Sequence, residues 1–268
     1  MTARRISAMM RPTNGQEERM ARRVMLITGG GRGIGAATAR LAAARGYDLV
    51  LTYRSDTARA GETARACEAA GAKVVLLKGD AASEADIVAA YDTAGRTFGG
   101  IDAVVNNAGT TGGKRLVADT TEADWRGTFE PNVFGLALSC REAVRRMSTA
   151  RGGKGGVIVN VSSRASELGS AGEWVHYAAS KAAVDTLTQG LAREVAKEGI
   201  RVNAVNPGLI ETELHAASGQ PDRLQRLAPF VPMGRAGTAE EVAECILFLA
   251  SDAASYVTAA CLPVGGGR

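Results

Sequence analysis

Tyr177 and Lys181 form the side-chain pair with the clearest capacity for acid–base chemistry. They stand four residues apart in a stretch with helical character, so both lie on one face of that helix. A free phenol, with a pKa of about 10, is a poor base at neutral pH. A nearby ammonium stabilises the phenolate and lowers that pKa, which makes tyrosine a usable general acid or base. Taken alone, this spacing is more typical of a surface pair than of a catalytic one.

Two serines, Ser162 and Ser163, stand at the end of a predicted strand, 156–162. A hydroxyl at this place can donate to a substrate carbonyl, although either serine could instead cap a helix or form a turn. We expect Ser163 rather than Ser162 to be the site residue. A serine-hydrolase site is not favoured, because the sequence has no G-x-S-x-G motif and His176 directly precedes Tyr177, facing another part of the helix.

A glycine-rich loop, GGGRGIG at residues 29–35, joins predicted strand 24–28 to a helix. Glycine lets the backbone turn sharply and approach a pyrophosphate, and a helix N-terminus offers free N–H donors. In this strand–turn–helix context the loop favours dinucleotide binding over a plain glycine-rich turn. The residues expected to contact the cofactor here are Gly29, Gly31, Arg32, Gly33, Ile34 and Gly35.

Two arginines indicate which dinucleotide is bound. In an NAD-binding protein an acid about 20 residues further on, at the end of the second strand, holds the ribose 2′-hydroxyl. Here that strand ends in Tyr53, Arg54 and Ser55, and Arg32 lies in the glycine loop. Guanidinium groups suit a 2′-phosphate, which a carboxylate would repel. We therefore favour NADP(H), while the nearby Asp56 leaves NAD(H) as an alternative.

Short apolar segments alternate with Ala-rich helical stretches along the chain. Strands are predicted at 24–28, 48–53, 73–78, 102–106, 156–162, 201–205 and 260–264, and helices at 35–44, 57–70, 83–97, 132–148, 175–197 and 239–250. This alternation predicts an α/β fold, a single doubly wound Rossmann-type domain over residues 22–268 with a seven-stranded parallel sheet and helices on both faces. Ligands of such sheets bind beyond the carboxyl ends of the strands.

Together and in this order, the motifs resemble the short-chain dehydrogenase/reductase family over residues 22–268. The matching positions are Thr28, Gly29, Gly33, Ile34, Gly35, Asp80, Asn106, Asn107, Ala108, Gly109, Asn132, Ser162, Ser163, Tyr177, Lys181, Asn206, Pro207, Gly208 and Thr212. One such motif can arise by chance, but the ordered set indicates membership. The stretch 161–175 most resembles a glucose-dehydrogenase-like branch, and 3-oxoacyl-carrier-protein reductases are the nearest alternative.

The resemblance implies a role for each matching position. Ser163 would orient the substrate carbonyl, Tyr177 would exchange the proton, and Lys181 would bind ribose and tune Tyr177. The backbone of Asn132 would position a water of the proton relay. Further cofactor contacts would come from Asp80, Ala81, Asn107, Ala108, Gly109, Pro207, Gly208, Ile210 and Thr212. The segment 211–233 would be a mobile substrate loop in which His215 faces substrate or solvent.

The chain departs from the family pattern at three places. Pro131 precedes Asn132 inside an otherwise helical stretch, so we expect the helix to begin or kink there. The interval from Ser163 to Tyr177 is one residue longer than is common in the family, and we place the extra residue within 168–173, in the expected cleft wall. Ala259 and Gly265 replace a usual glycine and aspartate near the C-terminus, which weakens the expectation of a homotetramer against a homodimer.

Composition excludes several other classes of protein. The net charge of +4 resides in residues 1–23, and we interpret 1–21 as a flexible tail with Met20 as the natural start, so nucleic-acid binding is not indicated. Four widely spaced cysteines and two histidines suggest neither a disulfide framework nor a metal site. No apolar stretch has the length of a membrane span. A cytoplasmic location with reduced thiols is expected.

We therefore expect an enzyme that transfers a hydride between NADP(H) and a carbonyl or alcohol carbon of a small substrate. A 3-oxoacyl-carrier-protein reductase is the alternative enzyme, and it should carry a basic docking patch near the cleft mouth, which the sequence does not clearly show. A non-catalytic NADP-sensing protein is a more remote alternative, because Ser163, Tyr177 and Lys181 are all present.

Overall fold

A seven-stranded parallel sheet forms the centre of the protein. The computed structural model describes residues 22–213, 220 and 222–268, and its strands run in the order β3-β2-β1-β4-β5-β6-β7. This confirms the predicted doubly wound α/β fold. The strands are β1 (Arg23–Ile27), β2 (Tyr47–Tyr53), β3 (Val74–Lys78), β4 (Ala103–Asn106), β5 (Gly156–Val161), β6 (Ile200–Pro207) and β7 (Cys261–Val264). The proposed tail 1–21 lies outside the described residues.

Helices cover both faces of the sheet. In the described part of the chain they are α1 (Gly33–Ala44), α2 (Thr57–Ala69), α3 (Glu84–Phe98), α4 (Glu122–Phe129), α5 (Leu136–Met147), α6 (Ala165–Leu168), α7 (Val175–Val195), α8 (Arg223–Leu227) and α9 (Ala239–Ala250). Capping side chains explain several of the starts: Ser83 accepts from the backbone of Asp86, and Thr238 forms a capping box with Glu241. Within these described residues no helix has the length and apolar character to cross a membrane.

The core lies in two layers, because successive residues of a strand face opposite sides of the sheet. Met25 and Ile27 of β1 pack with α1, α2 and α9, whereas Leu26 between them packs with α3, α5 and α7. All three side chains are fully buried. Burial on both faces explains why the strands read as continuous apolar runs rather than as alternating patterns.

A buried chain of hydrogen bonds joins the second layer to the sheet. Tyr91 of α3 donates to the carbonyl of Ser139 at 2.7 Å, and the Ser139 hydroxyl donates to Asn106 at 2.6 Å. The amide of Asn106 donates to Asn160 at 2.9 Å, and that of Asn160 to Thr188 at 2.9 Å. Polar side chains inside a core are tolerated when each finds a partner. This network therefore fixes the carboxyl ends of β4 and β5 against α3, α5 and α7.

The predicted start of the helix at 132–148 was wrong. Helix α4 precedes it, and a π-helical turn, Glu130–Gly135, joins α4 to α5 without a break in the chain's helical course. Pro131 has no N–H to donate to the preceding turn, and a π-turn accommodates the missing bond. Gly135 is required there, because a Cβ at that position would meet the carbonyl oxygen of Ala81 at 1.7 Å.

Candidate active site

A cleft of about 430 Å³ opens at the carboxyl ends of the strands. Its lining includes most residues that the sequence predicted to bind a cofactor or substrate: Gly29, Gly31, Arg32, Gly33, Ile34, Tyr53, Arg54, Ser55, Asp80, Ala81, Asn107, Ala108, Gly109, Ser163, Tyr177, Lys181, Pro207, Gly208, Ile210 and Thr212. Gly35 and Asn132, also predicted, do not line it and lie behind its wall. The residue types and the place on the sheet are those of a dinucleotide site.

The glycine loop, at the carboxyl edge of the sheet, packs very closely against neighbouring residues. Gly29 and Gly33 have φ of 65° and 52°, a region that favours glycine. A Cβ on Gly35 would lie 2.3 Å from the carbonyl oxygen of Gly29 and 2.5 Å from the side-chain nitrogen of Asn107. Helix α1 begins here with no side-chain cap, so its first N–H groups point toward the cleft without a side-chain acceptor. Such an end is suited to a phosphate.

Asn107 braces this loop from the neighbouring strand. Its side-chain nitrogen donates to the carbonyl oxygens of Thr28 and Gly29 at 2.9 and 3.0 Å. The Thr28 hydroxyl in turn accepts from the backbone N–H groups of Asn107 and Ala108, both at 3.0 Å. The four bonds tie the end of β1 to the end of β4. Asn107 thus shapes the phosphate-facing loop and lines the cleft at the same time.

Charged side chains line the cleft near the end of β2 and in the glycine loop. Arg32 and Arg54 are exposed and line the cleft. Asp56 also lines it, but its carboxylate caps helix α2 by accepting from the backbone N–H of Arg59 at 3.0 Å. The same carboxylate lies 3.5 Å from the Arg59 guanidinium. The Asp56 carboxylate is therefore engaged with α2 at this place in the cleft.

The two serines after β5 have different surroundings. Ser162 is buried, and its hydroxyl donates to the carbonyl oxygen of Lys181 at 3.1 Å. The hydroxyl of Ser163 accepts from the backbone N–H of Ala165 at 3.1 Å and also interacts with Tyr177. Ser162 therefore holds α7 against the sheet, whereas Ser163 stands beside the phenol in the cleft. This arrangement suits the role that the sequence proposed for Ser163.

Tyr177 and Lys181 are both buried at the floor of the cleft, on one face of α7. Burial raises the pKa of Tyr177, and the hydrogen bond to Ser163 and the charge of Arg223 act in the opposite direction. The Lys181 ammonium lies 5.8 Å from the Tyr177 ring centroid. Burial lowers the pKa of Lys181 to about 8, against the effect of Asp185. Sequence reasoning assigned the tuning of Tyr177 to Lys181 and missed Arg223.

Asn132 lies inside the π-turn, fully buried. Its side-chain oxygen accepts from the backbone N–H of Thr110 at 2.9 Å, and its nitrogen donates to the Thr110 carbonyl at 2.8 Å and to Ser180 at 3.0 Å. The side chain thus fastens the loop after β4 to α7. Both side-chain N–H donors of Asn132 are therefore used within the protein, and its side chain holds the π-turn in place.

Two buried residues next to Tyr177, Trp174 and Arg223, are candidates for the functional site that sequence reasoning missed. Trp174 packs with its ring 6.4 Å from that of Tyr177, and Arg223 lies over Trp174. His176 is buried against Trp125, with the rings 6.1 Å apart, and, like Trp174 and Arg223, does not line the cleft. Within the segment 211–233, His215 lies outside the described residues. The described side chains of His, Cys, Asp and Glu form no group that could hold a metal ion.

Comparison with known proteins agrees with this geometry. A family model described as enoyl-(acyl carrier protein) reductase matches residues 29–268. An uncharacterized oxidoreductase of Escherichia coli K12, YgfF, is 47% identical, and the match covers 91% of this chain and 99% of that protein. Cis-4-hydroxycyclohexanecarboxylate dehydrogenase of Sinomonas cyclohexanicum is 43% identical, with 93% and 98% covered.

A solved structure and two further relatives extend the comparison. A blue fluorescent protein from a metagenomic library, solved in complex with NADPH, is 33% identical with a TM-score of 0.83, and the match covers 91% of this chain and 97% of that one. Glucose 1-dehydrogenase 2 of Bacillus subtilis is 34% identical, covering 90% and 93%. A 3-oxoacyl-carrier-protein reductase of Chlamydia pneumoniae is 35% identical, covering 91% and 95%. The chain belongs to the short-chain dehydrogenase/reductase family.

Proposed function

We propose that the protein is an NADP(H)-dependent oxidoreductase that interconverts a carbonyl and an alcohol in a small substrate, with Tyr177 as the general acid and base. The observation that carries the proposal is the convergence of Ser163, Tyr177 and Lys181 in the cleft that the glycine loop lines. The three side chains come from two elements, the end of β5 and α7. A hydroxyl donor, a phenol and an ammonium at one place match the needs of proton transfer to a carbonyl oxygen.

The residues of the cleft fit a nicotinamide dinucleotide. The uncapped start of α1 suits the pyrophosphate. The loop packs so closely around Gly35 that no larger residue fits at that position. Thr212 lies above the loop, within 3.5 Å of where a Cβ of Gly33 would be, so the loop after β6 faces the glycine loop across the cleft. We favour NADP(H) over NAD(H) because Arg32 and Arg54 face the site while Asp56 is engaged with Arg59.

The nicotinamide, when bound, supplies or accepts the hydride at the reacting carbon. Ser163 holds the substrate oxygen by a hydrogen bond and so fixes its orientation next to Tyr177. In reduction the Tyr177 hydroxyl gives its proton to that oxygen, and in oxidation the phenolate removes it. Lys181 holds the ribose, and its charge favours the phenolate. The backbone of Asn132 positions a water through which the proton is replaced.

The substrate class that we propose is a small secondary alcohol or its ketone. The name of the 43% identical relative specifies a hydroxyl group on a cyclohexane ring, and the name of another relative, 3beta-hydroxysteroid dehydrogenase 1 of Eggerthella lenta at 38% identity, specifies a ring hydroxyl as well. Both substrates carry the reacting oxygen on a ring carbon. We therefore expect this enzyme to accept cyclic alcohols and ketones before primary alcohols.

An acyl-carrier-protein substrate is less favoured, because the most basic helix of the chain is neutralised by the chain itself. Arg141, Arg145 and Arg146 lie on one side of α5, and all three contact the carboxylate of Glu142, which is 3% exposed. Further pairs join Arg141 to Glu84 at 2.7 Å and Arg146 to Asp92 at 2.6 Å. An acidic carrier protein needs unpaired cations for docking. This helix offers few of them.

We also propose that the enzyme works in the cytoplasm as a homotetramer or homodimer. All four cysteines lie in the described part of the chain and are free thiols, in keeping with a reducing compartment. Phe134, in the π-turn between α4 and α5, exposes 57% of its surface. A large exposed aromatic beside two helices suits contact with a second copy of the chain.

The proposal is tested by two measurements on the purified protein. A fluorescence titration with NADPH and NADH comes first, and we expect NADPH to bind at least about tenfold tighter, a difference of roughly 1.4 kcal/mol. Cyclohexanone, cyclohexanol and open-chain analogues are then tested for turnover with the preferred nucleotide. Absence of binding by both nucleotides would exclude the proposed function, and equal binding would exclude the NADP(H) preference.

A further inference from the structure

Behind Tyr177, an ion pair between two elements that are distant in sequence forms a small wall, made by Glu173, Trp174 and Arg223. Glu173 and Trp174 immediately precede α7, at the end of a turn in which Ser170 has a φ of 49°, unusual for a residue other than glycine. Ser170 accepts at its carbonyl from the N–H groups of both residues, each at 3.1 Å. Arg223 is the first residue of α8. The ion pair of Glu173 with Arg223 joins this turn to α8.

Arg223 is held in this wall by two contacts of different kinds. Its guanidinium donates to the carboxylate of Glu173, and its Cζ lies 4.2 Å from the ring centroid of Trp174. Only 7% of the residue is exposed. A buried charge is unfavourable unless it is paired, so burial of this arginine requires Glu173. Stacking on an aromatic ring adds a cation–π attraction and fixes the plane of the guanidinium.

The same wall is in contact with the proposed acid–base residue. The rings of Trp174 and Tyr177 lie 6.4 Å apart in an edge-on arrangement at an interplanar angle of 81°. Trp174 therefore has Tyr177 against its ring on one side and Arg223 over it on another. Burial raises the pKa of the Tyr177 phenol, and the positive charge of Arg223 opposes that rise, as does the hydrogen bond to Ser163. The other groups facing Tyr177 are the Ser163 hydroxyl and the Lys181 ammonium, and Lys181 faces Asp185.

The wall also contains donors that the fold does not use. Among the described residues, neither Nε of Arg223 nor Nε1 of Trp174 has a hydrogen-bond partner, although both atoms are buried. Buried donors in folded proteins are nearly always paired. Two unpaired donors in one small cluster indicate that its residues are not arranged for stability alone.

We propose that Arg223 is a positioning residue: held by Glu173 and stacked on Trp174, whose ring packs against Tyr177, it keeps a positive charge one side chain away from the catalytic phenol and so helps to set its ionisation. The proposal rests on the proposed function of Tyr177. It assigns to a residue of another element part of the task that the resemblance gives to Lys181. It also makes α8 part of the acid–base machinery.

The proposal is tested by measuring the ionisation of Tyr177 directly, an experiment that needs no substrate. Tyrosinate absorbance is titrated with pH in the wild type and in a Tyr177→Phe protein, and the difference between the two curves gives the midpoint for Tyr177. The same difference is measured in an Arg223→Met background. Because a nearby cation favours the phenolate, we expect Arg223→Met to move the midpoint upward by about half a pH unit or more. Arg223→Lys should restore more than half of that shift.

Arg226→Met is the matched control. Arg226 lies three residues further on in α8 and also contacts Glu173, at 3.5 Å, but it is half exposed and is not among the charges acting on Tyr177. It should leave the midpoint unchanged. An unchanged midpoint in Arg223→Met, or equal shifts in both variants, would overturn the proposal. Arg223→Gln replaces Arg223→Met if the latter loses its circular dichroism signal.

The two proposals fail in different ways. If Tyr177→Phe still turns over a substrate with NADPH, the proposed function of Tyr177 is wrong, whatever Arg223 does. If Tyr177→Phe is inactive and the midpoint of Tyr177 does not respond to Arg223, only the inference about Arg223 is wrong. The pH profile of turnover should show the same upward move in Arg223→Met, with the affinity for NADPH unchanged.

Discussion

The ammonium of Lys181 donates a hydrogen bond of 2.8 Å to the carbonyl oxygen of Val161. This bond joins α7 to the last residue of β5, directly before the two serines. It fixes the lysine at the cleft floor, with only 3% of the residue exposed. The folded protein therefore holds the lysine side chain in a buried position, where its charged form is disfavoured. Such an arrangement is costly for stability and is expected where a charge is needed for function.

Replacing Lys181 should stabilise the protein that has no nucleotide bound. The folded-state pKa of Lys181 is about 8, below its ordinary value of 10.5. Below pH 8 the folded state must keep a buried charge, so ΔG of unfolding should rise as the pH rises from 8 to 10.5. Lys181→Met removes this penalty and loses one hydrogen bond, a net gain of about 1–2 kcal/mol at pH 7.

Urea unfolding at pH 7 measures the change, and Lys197→Met, at an exposed position, is the control expected to change nothing. Turnover of Lys181→Met should be lost. A Lys181→Met protein that is less stable than the wild type at pH 7 would contradict the inferred penalty.

Gly35→Ala should disrupt the glycine loop. The added Cβ would lie 2.3 Å from the Gly29 carbonyl oxygen, a contact that only a backbone shift can relieve. We expect a loss of about 2 kcal/mol or more in stability and no measurable NADPH binding. Gly95→Ala, in the exposed part of α3, meets no atom within 4 Å and should stabilise the protein by about 0.5–1 kcal/mol. Thermal unfolding and NADPH titration compare the two variants, and normal NADPH binding by Gly35→Ala would count against the site.

Arg54→Ala should reduce the preference for NADPH over NADH. Loss of one guanidinium near a 2′-phosphate weakens NADPH binding by about tenfold, roughly 1.4 kcal/mol, while NADH binding stays within about twofold. Arg65→Ala, on α2 and outside the cleft lining, is the control of equal charge change. Dissociation constants for both nucleotides give the result. A parallel loss of NADH and NADPH affinity would show that Arg54 does not read the 2′-phosphate.

Asn132→Ala should loosen the loop after β4. The substitution leaves the Thr110 N–H and carbonyl without their side-chain partner, which costs about 2–3 kcal/mol. Ser180→Ala removes only one of the three partners of Asn132 and should cost about 1 kcal/mol. Chemical denaturation measures both. Equal effects of the two substitutions would show that the Thr110 contacts contribute little.

The fold and the centre of the site could be predicted because both are encoded by residues close together in the sequence. The hydrophobic periodicity of each strand and helix is visible within a short stretch, the glycine loop is one continuous segment, and Tyr177 and Lys181 are one helical turn apart. The resemblance then placed Ser163 and Asn132 by their order along the chain. These are short-range or family-level signals, and the geometry of the cleft agrees with them.

The rest depends on contacts that no local signal contains. Helix α4 was missed because its eight residues have weak apolar character, and Pro131 suggested a break where the chain forms a π-turn. Arg223 stands 46 residues after Tyr177 in a segment of ordinary polar composition, with its partner Glu173 fifty residues away. Only the folded chain brings this arginine to Trp174. A buried arginine at the start of a short helix cannot be told from a solvated one by sequence alone.

The most direct test of the central claim compares wild type and Tyr177→Phe in two paired assays, NADPH affinity and turnover of the best substrate. The phenol's proton is needed for the chemical step but not for the nucleotide, so we predict that Tyr177→Phe binds NADPH within about twofold of wild type and loses at least about a thousandfold in kcat. Retained turnover in Tyr177→Phe, with NADPH bound normally, would contradict the account.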